Sequence, residues 1–185
     1  MHLSSKRGAD IDKPSEKIAF SLSISQLGFF TVFQFFVFLE LQKNNMALKK
    51  SWLDKLNEKK ESKIKRIDID FADIPAGSTM FIATPKLIDS YIKEIEIGKH
   101  LDIKTLRKDL ALAHNADYTC PVTTGIFLRI VAEANYEKLL QGEDIEQITP
   151  FWRVIEPNSI LAKKLTFGQK FLLQQVDKES SNCKN

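Results

Sequence analysis

Asp102-Ile103-Lys104-Thr105-Leu106-Arg107-Lys108-Asp109-Leu110-Ala111-Leu112-Ala113-His114-Asn115-Ala116-Asp117-Tyr118-Thr119-Cys120-Pro121 is the stretch on which the fold turns. Asp102 is a good helix N-cap, and Ile103, Leu106, Leu110 and Ala113 recur at spacings of three and four, which puts them on one inward face. Lys104, Arg107 and Lys108 fall on the outward side. His114-Asn115-Ala116-Asp117 breaks the periodicity. Thr119-Cys120-Pro121 then predicts a new helix, with a capping hydroxyl and an early proline whose missing N–H costs nothing there. Ile126, Phe127, Ile130, Val131 and Ala134 supply its buried face. Two helices joined by a turn of a few residues match the helix-turn-helix plan, although any small helical bundle shares that pattern.

Working upstream, Thr84-Pro85 gives an N-cap with proline at the first helical position, and Leu87, Ile88, Tyr91, Ile92 and Ile95 form one apolar stripe ended by Gly98. The expected fold class is therefore mostly α: a helix-turn-helix (winged-helix-like) three-helical bundle with minor extended segments. Residues 67–71 alternate apolar and acidic side chains and run into Pro75-Ala76-Gly77-Ser78, an extended segment entering a loop. The folded domain is expected over residues 71–178, followed by a polar tail, 179–185.

The whole chain of 185 residues suits one ordinary domain with attached segments. At 43% hydrophobic and 28% charged, with few Gly and Pro, it is neither wholly disordered nor fibrous. The net charge of +3 is unevenly spread: residues 46–66 carry eight Lys/Arg against three Asp/Glu, and residues 67–185 carry fourteen against seventeen. Leu48, Trp52, Leu53 and Leu56 stand at helical spacing in the basic part, so residues 46–70 are expected to be a basic amphipathic arm, either solvated or touching phosphates.

Residues 1–45 are an apolar N-terminal extension. Residues 18–39 carry no formal charge and hold seven of the 13 Phe. That length spans a bilayer, and Lys6, Arg7, Lys13 and Lys17 suit a cytoplasmic flank, whereas Ser21, Ser23, Ser25, Gln26, Thr31 and Gln34 dilute it. The favoured expectation is that Met46-Ala47-Leu48-Lys49-Lys50 is the true start and that residues 1–45 are upstream translated sequence; a membrane anchor through residues 18–39 is the alternative. Cys120 and Cys183 are the only cysteines, too few for a disulfide framework or a cysteine-based zinc site. A cytoplasmic location, no metal and no cofactor are expected.

After a charged loop, residues 141–147, comes Ile148-Thr149-Pro150-Phe151-Trp152-Arg153-Val154-Ile155. This resembles the Pro-Cys-His-Arg-Val active-site segment of the alkylguanine-DNA alkyltransferases (methylated-DNA-protein-cysteine methyltransferases) and the Pro-Trp-His-Arg-Val segment of their silent relatives, the alkyltransferase-like proteins. The order of features agrees too: Gly98-Lys99, a helix ending Asp109-Leu110-Ala111, a helix opening at Pro121, Pro-x-x-Arg-Val, then Gly168 and a final helix through Leu172-Leu173. The likeness covers roughly residues 80–177. It is similar in particular to a bacterial offshoot with Thr-Cys-Pro and Thr-Thr-Gly-Ile-Phe ahead of a Thr-Pro-aromatic-Trp-Arg segment.

The resemblance implies the fold of the alkyltransferase C-terminal domain and a role in DNA repair. It implies DNA contacts from Thr123, Thr124, Gly125 and Arg129 on the recognition helix, with Arg107 and Lys104 from the helix before it, and a base pocket at Phe151, Trp152, Arg153 and Ser159. The departures point away from an enzyme. The family's thiolate nucleophile is replaced by Phe151 and its neighbouring His by Trp152, and Gly125 falls where the enzymes carry a base-displacing arginine. The expected function is a non-enzymatic DNA-binding protein that senses alkylated or otherwise altered bases, with DNA as partner, a repair protein as a further partner, and a monomeric state. Two rivals stand beside it: a protein-interaction or regulatory module that keeps the fold without binding DNA, and an alkyltransferase that uses Cys120. For single residues the plainer readings are that Phe151 and Trp152 are core, Arg153 holds the loop by hydrogen bonds, Ser159 belongs to a solvated turn, and Cys120 is a small buried or capping residue.

Overall fold

Ser51 opens the first helix of the computed structural model, which describes residues 50–182. Its hydroxyl accepts from Asp54 N at 3.0 Å while the Asp54 carboxylate accepts from Ser51 N at 3.3 Å, a reciprocal cap that starts α1 (Trp52–Asn57). Leu56 is buried and Trp52 packs beside it, so α1 lies against α2 and α4, defined below. Strand β1 (Lys63–Arg66) then pairs antiparallel with β2 (Thr79–Ile82), Lys63 opposite Ile82 and Arg66 opposite Thr79. β3 (Tyr118–Thr119) joins the other edge of β2 in parallel, giving the sheet order β1-β2-β3. A parallel partner needs a long crossover, here made by α2 (Pro85–Lys93) and α3 (Ile103–Ala113). α4 (Pro121–Leu140), two 3₁₀ turns (Phe151–Arg153 and Ala162–Lys164) and α5 (Gly168–Asn182) complete a mostly α structure with a small three-stranded sheet.

The predicted caps of α2 and α3 form. Thr84 Oγ1 accepts from Leu87 N at 3.2 Å, with Pro85 at the first helical position, and Asp102 Oδ1 accepts from Thr105 N at 2.6 Å. Ile88, Ile92, Leu106 and Leu110 go to the core as the spacing requires. Ala113 was expected inward too but is exposed at the helix end, and Ala111 is buried instead. α3 closes on His114, whose ring stacks on Phe81 of β2 at 4.1 Å, and on Asn115, which takes the left-handed conformation (φ +53°) that Asn tolerates.

α4 differs from its expected form in three ways. Its N-cap is Cys120, which makes no side-chain capping bond; Thr119 sits in β3 with its hydroxyl unpartnered. Ile126 was expected in the core and is 53% exposed, while Leu128 is buried in its stead. Residues 130–135 are all buried, so no single apolar stripe exists along that half. The reason is packing from several sides: α1, α2 and the 3₁₀ turn at Phe151–Arg153 surround α4, while α3 rests on β2 and β3. A smaller cluster of Ile74, Met80 and Cys120 forms a second patch of core.

The basic segment, expected as an arm outside the domain at 71–178, is built into the same unit, which begins at Lys49. A boundary at residue 70 would cut the β1–β2 ladder and strip α1 from the core. The tail also differs, since α5 continues to Asn182 through the expected start of the tail at 179. The stretch at 18–39, the Met46 start and Cys183 lie outside the described residues. Within the described residues no helix is long and apolar enough to cross a membrane.

If α1 belongs to the core, Leu56→Ala should lower the unfolding free energy by about 2–5 kcal/mol in urea denaturation. A solvated arm would leave the midpoint where it was.

Candidate functional site

Pro150 leads into the 3₁₀ turn at Phe151–Arg153, closed by Arg153 N to Pro150 O (3.0 Å) and Val154 N to Phe151 O (3.2 Å). Residues 148–155 are buried throughout. The segment stays there because its polar groups find partners inside, without which burial would be costly. Thr149 Oγ1 donates to Asp89 Oδ1 (2.6 Å), Thr149 N to Asn135 Oδ1 (3.0 Å), and Asn135 Nδ2 to Asp89 Oδ1 (3.0 Å), which fastens the loop to α2 and α4; Lys93 pairs with the other Asp89 oxygen at 3.2 Å.

Phe151 is 0% exposed, with its ring 5.5 Å from that of Phe167 and 6.0 Å from that of Phe171. It is a core plug, which corrects its expected place in the wall of a base pocket. Trp152 packs edge-on against Phe151 and donates Nε1–H to Glu179 Oε1 at 2.8 Å. Though only 5% exposed, it gives onto two surface clefts of about 530 and 560 Å³, one with His100, Asp102 and Glu156 in its wall, the other with Lys93, Glu146 and Lys178.

Arg153 is committed to the fold through each of its three guanidinium nitrogens. Its Nη1 donates to Ile95 O, its Nε and Nη2 donate to the Glu179 carboxylate at 3.1 and 2.8 Å, and its carbonyl accepts from Leu101 N at 2.8 Å. Gly98 N adds a bond to Glu179 Oε2 at 3.3 Å. Burial pushes the Glu179 carboxyl upward, but the hydrogen bonds from Arg153, Trp152 and Gly98 outweigh it and hold the group below its ordinary range. One carboxylate thus clamps α5 to the loop and to the end of α2. Ser159 Oγ accepts from Ala162 N at 3.1 Å, a local structural duty in the turn ahead of the second 3₁₀ segment.

On the helices, Thr124 is fully buried, with Oγ1 donating to Cys120 O at 2.7 Å, so it cannot meet DNA as expected. Arg107 is likewise committed. Its Nη1 and Nη2 grip Asp73 bidentately at 2.7 and 2.8 Å, and its Nε donates to Thr119 O at 2.9 Å. Those bonds hold the Asp73 carboxyl below its usual range. Arg129 reaches Glu133 at 3.5 Å and lies 5.3 Å from the Trp52 ring centroid. Lys104 is exposed on α3. Thr123 and Gly125 stand partly exposed on the first turns of α4, and a Cβ at Gly125 would meet nothing within 4 Å.

The structure therefore unites Trp152 and Arg153 with Glu179, which sequence reasoning missed, and seals Phe151 behind them. Glu133 was missed as well. It is 1% exposed, accepts from Thr166 N at 2.9 Å and from the Thr166 hydroxyl, and fixes the approach to α5. Its signal was a lone carboxylate inside Ile130-Val131-Ala132-Glu133-Ala134, since a charge in an apolar run demands a partner. Among the described residues no group of three or more His, Cys, Asp or Glu could hold a metal ion. Compared with family models, with curated proteins and with solved structures, the chain matches none.

The clamp makes stability depend on pH. Because the folded pKa of Glu179 is depressed, its contribution is complete above the unfolded carboxylate value of about 4.3 and is lost as pH falls through the lower folded value. Glu179→Ala, which strands the buried Arg153 guanidinium, should cost about 3–5 kcal/mol at neutral pH. The gap between variant and wild type should narrow in strong acid, as followed by thermal unfolding across pH; a gap independent of pH would rule the clamp out.

Proposed function

We propose that the protein is a non-enzymatic DNA-binding module of the alkyltransferase-like kind, working as a helix-turn-helix and sensing altered bases in DNA. The observation that carries this reading is the two-part character of α4. Its middle, from Ile130 to Asn135, is buried on all sides and held by Glu133 and Asn135, while its first turns leave Val122, Gly125, Ile126 and part of Arg129 within reach of solvent. A helix anchored along its middle and open at its first turns, following a short turn from α3, is how such modules offer a helix to a groove. The missing side chain at Gly125 leaves room for close backbone approach.

The absence of chemistry is supported by Phe151. The ring at the place of the family's acceptor is sealed in the core and offers no nucleophile, and Cys120, the free cysteine among the described residues, is buried at the start of α4. With Phe151 sealed, an altered base is read at the edge of Trp152, through either cleft beside it.

A protein-interaction module is the second reading, favoured by specific exposures. Val122 and Ile126 are each 53% exposed and Leu112 is 77% exposed, apolar surface where phosphate asks for charge, and Arg107 and Arg129 are already engaged.

Two measurements test these readings. Matched duplexes with and without an alkylguanine, titrated at about 50 and 200 mM salt, should bind with affinity that falls as salt rises and favour the lesion; no retention at the lower salt would leave the interaction module. DNA carrying a labelled methylguanine should leave the protein unlabelled, and stoichiometric label on Cys120 would refute the non-enzymatic assignment.

A further inference from the structure

Resting on the DNA-binding reading, we infer that the duplex backbone is held chiefly by the edge strand β1 and its approach, through Lys59, Lys63, Lys65 and Arg66, and not by the cations of α3 and α4. The basis is which cations the fold has already used. Among the described residues, Lys50 and Lys60 pair with Glu58 at 2.9 and 3.1 Å, Lys55 sits over the Trp52 ring at 3.8 Å, Arg107 holds Asp73, Arg129 is shared by Glu133 and Trp52, and Arg153 is closed on Glu179. No described carboxylate lies within salt-bridge distance of Lys59, Lys63, Lys65 or Arg66, and all four are exposed. Free lysines elsewhere stand in sparser sets, such as Lys104 and Lys108 on α3, where Lys104 shares the neighbourhood of Asp73 and Asp102.

Three features of β1 make it suited to a phosphate chain. Its backbone is held by the ladder to β2, so its side chains are ordered at less cost than those of a loose arm. Strand alternation puts Lys63 and Lys65 on one face about 6.8 Å apart, close enough together to meet neighbouring phosphates of one DNA strand. It is also the open edge of the sheet, with no described strand beyond it, so alternate backbone N–H groups point outward and can donate to phosphate oxygens.

Position links this strand to the open turns of α4. Arg66 lies opposite Thr79, and Thr79 donates from N and Oγ1 to Asp117 Oδ2 at 2.8 and 2.7 Å, in the turn between α3 and α4. The Thr79 bonds hold the Asp117 carboxyl below its ordinary range, and the charge of Arg66 adds to that effect, so the strand ends beside the turn. A duplex lying on the first turns of α4 has β1 next to it, whereas an acidic peptide would need only the strand. Lysines on an edge strand also guard it against pairing with other strands. Reversing their sign keeps that guard and removes the phosphate contact, which separates the two roles.

The test uses the full chain and a random-sequence duplex, reading log affinity against log salt by fluorescence anisotropy. The double variant Lys63→Glu/Lys65→Glu should keep the wild-type thermal midpoint, bind more weakly at low salt, and flatten the salt slope by about 1.8 for two lost contacts. Lys104→Glu/Lys108→Glu should change the slope less, and Asp117→Asn, which removes a carboxylate charge felt by Arg66, should tighten binding. A wild type that binds while the β1 variant keeps its slope overturns the assignment to β1 and leaves the DNA reading standing. A wild type that does not bind duplex overturns the DNA reading itself. Displacement of the duplex by polyglutamate at equal charge concentration would make β1 a surface for acidic protein and overturn the inference.

Discussion

Burial of α4 on every side between Ile130 and Asn135 is the constraint from which the rest of the structure follows. A helix that is apolar all round cannot lie on a surface, so other elements must enclose it. α1 and α2 cover it along part of its length, the 3₁₀ turn at Phe151–Arg153 closes another side, and Thr166, just ahead of α5, is drawn in by Glu133. Its two ends escape this enclosure, and the first turns are the part joined to α3 through the Asn115 turn. The division between a buried shaft and an open tip therefore comes from where the neighbours end, not from any change in helix propensity.

Three carboxylates bolt the irregular segments onto this shaft. Glu133 receives Thr166, Asp89 receives Thr149 and Asn135, and Glu179 receives Trp152, Arg153 and Gly98. Residues 141–167 contain no helix longer than a 3₁₀ turn and no strand, so they lack a ladder of their own to set their position. A buried carboxylate costs free energy unless it is well bonded, and that is why it selects one arrangement among many apolar ones. The same logic explains why Arg153 is a fastener in this chain: its Nε, Nη1 and Nη2 are each turned inward to the Ile95 carbonyl or the Glu179 carboxylate.

Local chemistry was legible in the sequence, and long-range pairing was not. The caps at Thr84 and Asp102, the apolar stripes of α2 and α3 and the break at His114-Asn115-Ala116-Asp117 each depend on residues within a few positions, and the structure has them. The inward face of α4 was misread at Ile126 because a helix packed from several sides has no single periodic stripe to find. β1 was hidden because Lys63-Ile64-Lys65-Arg66 is charged at three of four positions and reads as a solvated arm; its strand character comes from β2, more than a dozen residues away. Arg107 looked free for DNA since its partner Asp73 is 34 positions earlier. At the candidate site, Phe151-Trp152-Arg153 could be singled out as a segment, but which side faces the core depends on Phe167, Phe171 and Glu179, all supplied by the far end of the chain.

Because β2 and β3 run parallel, no tight turn can join them, and two whole helices must form and fold back before Met80 finds Tyr118. The antiparallel β1–β2 pair is joined by a much shorter connection and carries a smaller loop-closure entropy. The addition of β3, which sets the root of α4, is the non-local pairing in this sheet, of the kind that slows folding. The angle between α3 and α4, and with it the open tip of α4, therefore rests on a pairing that neither helix can make from its own local sequence.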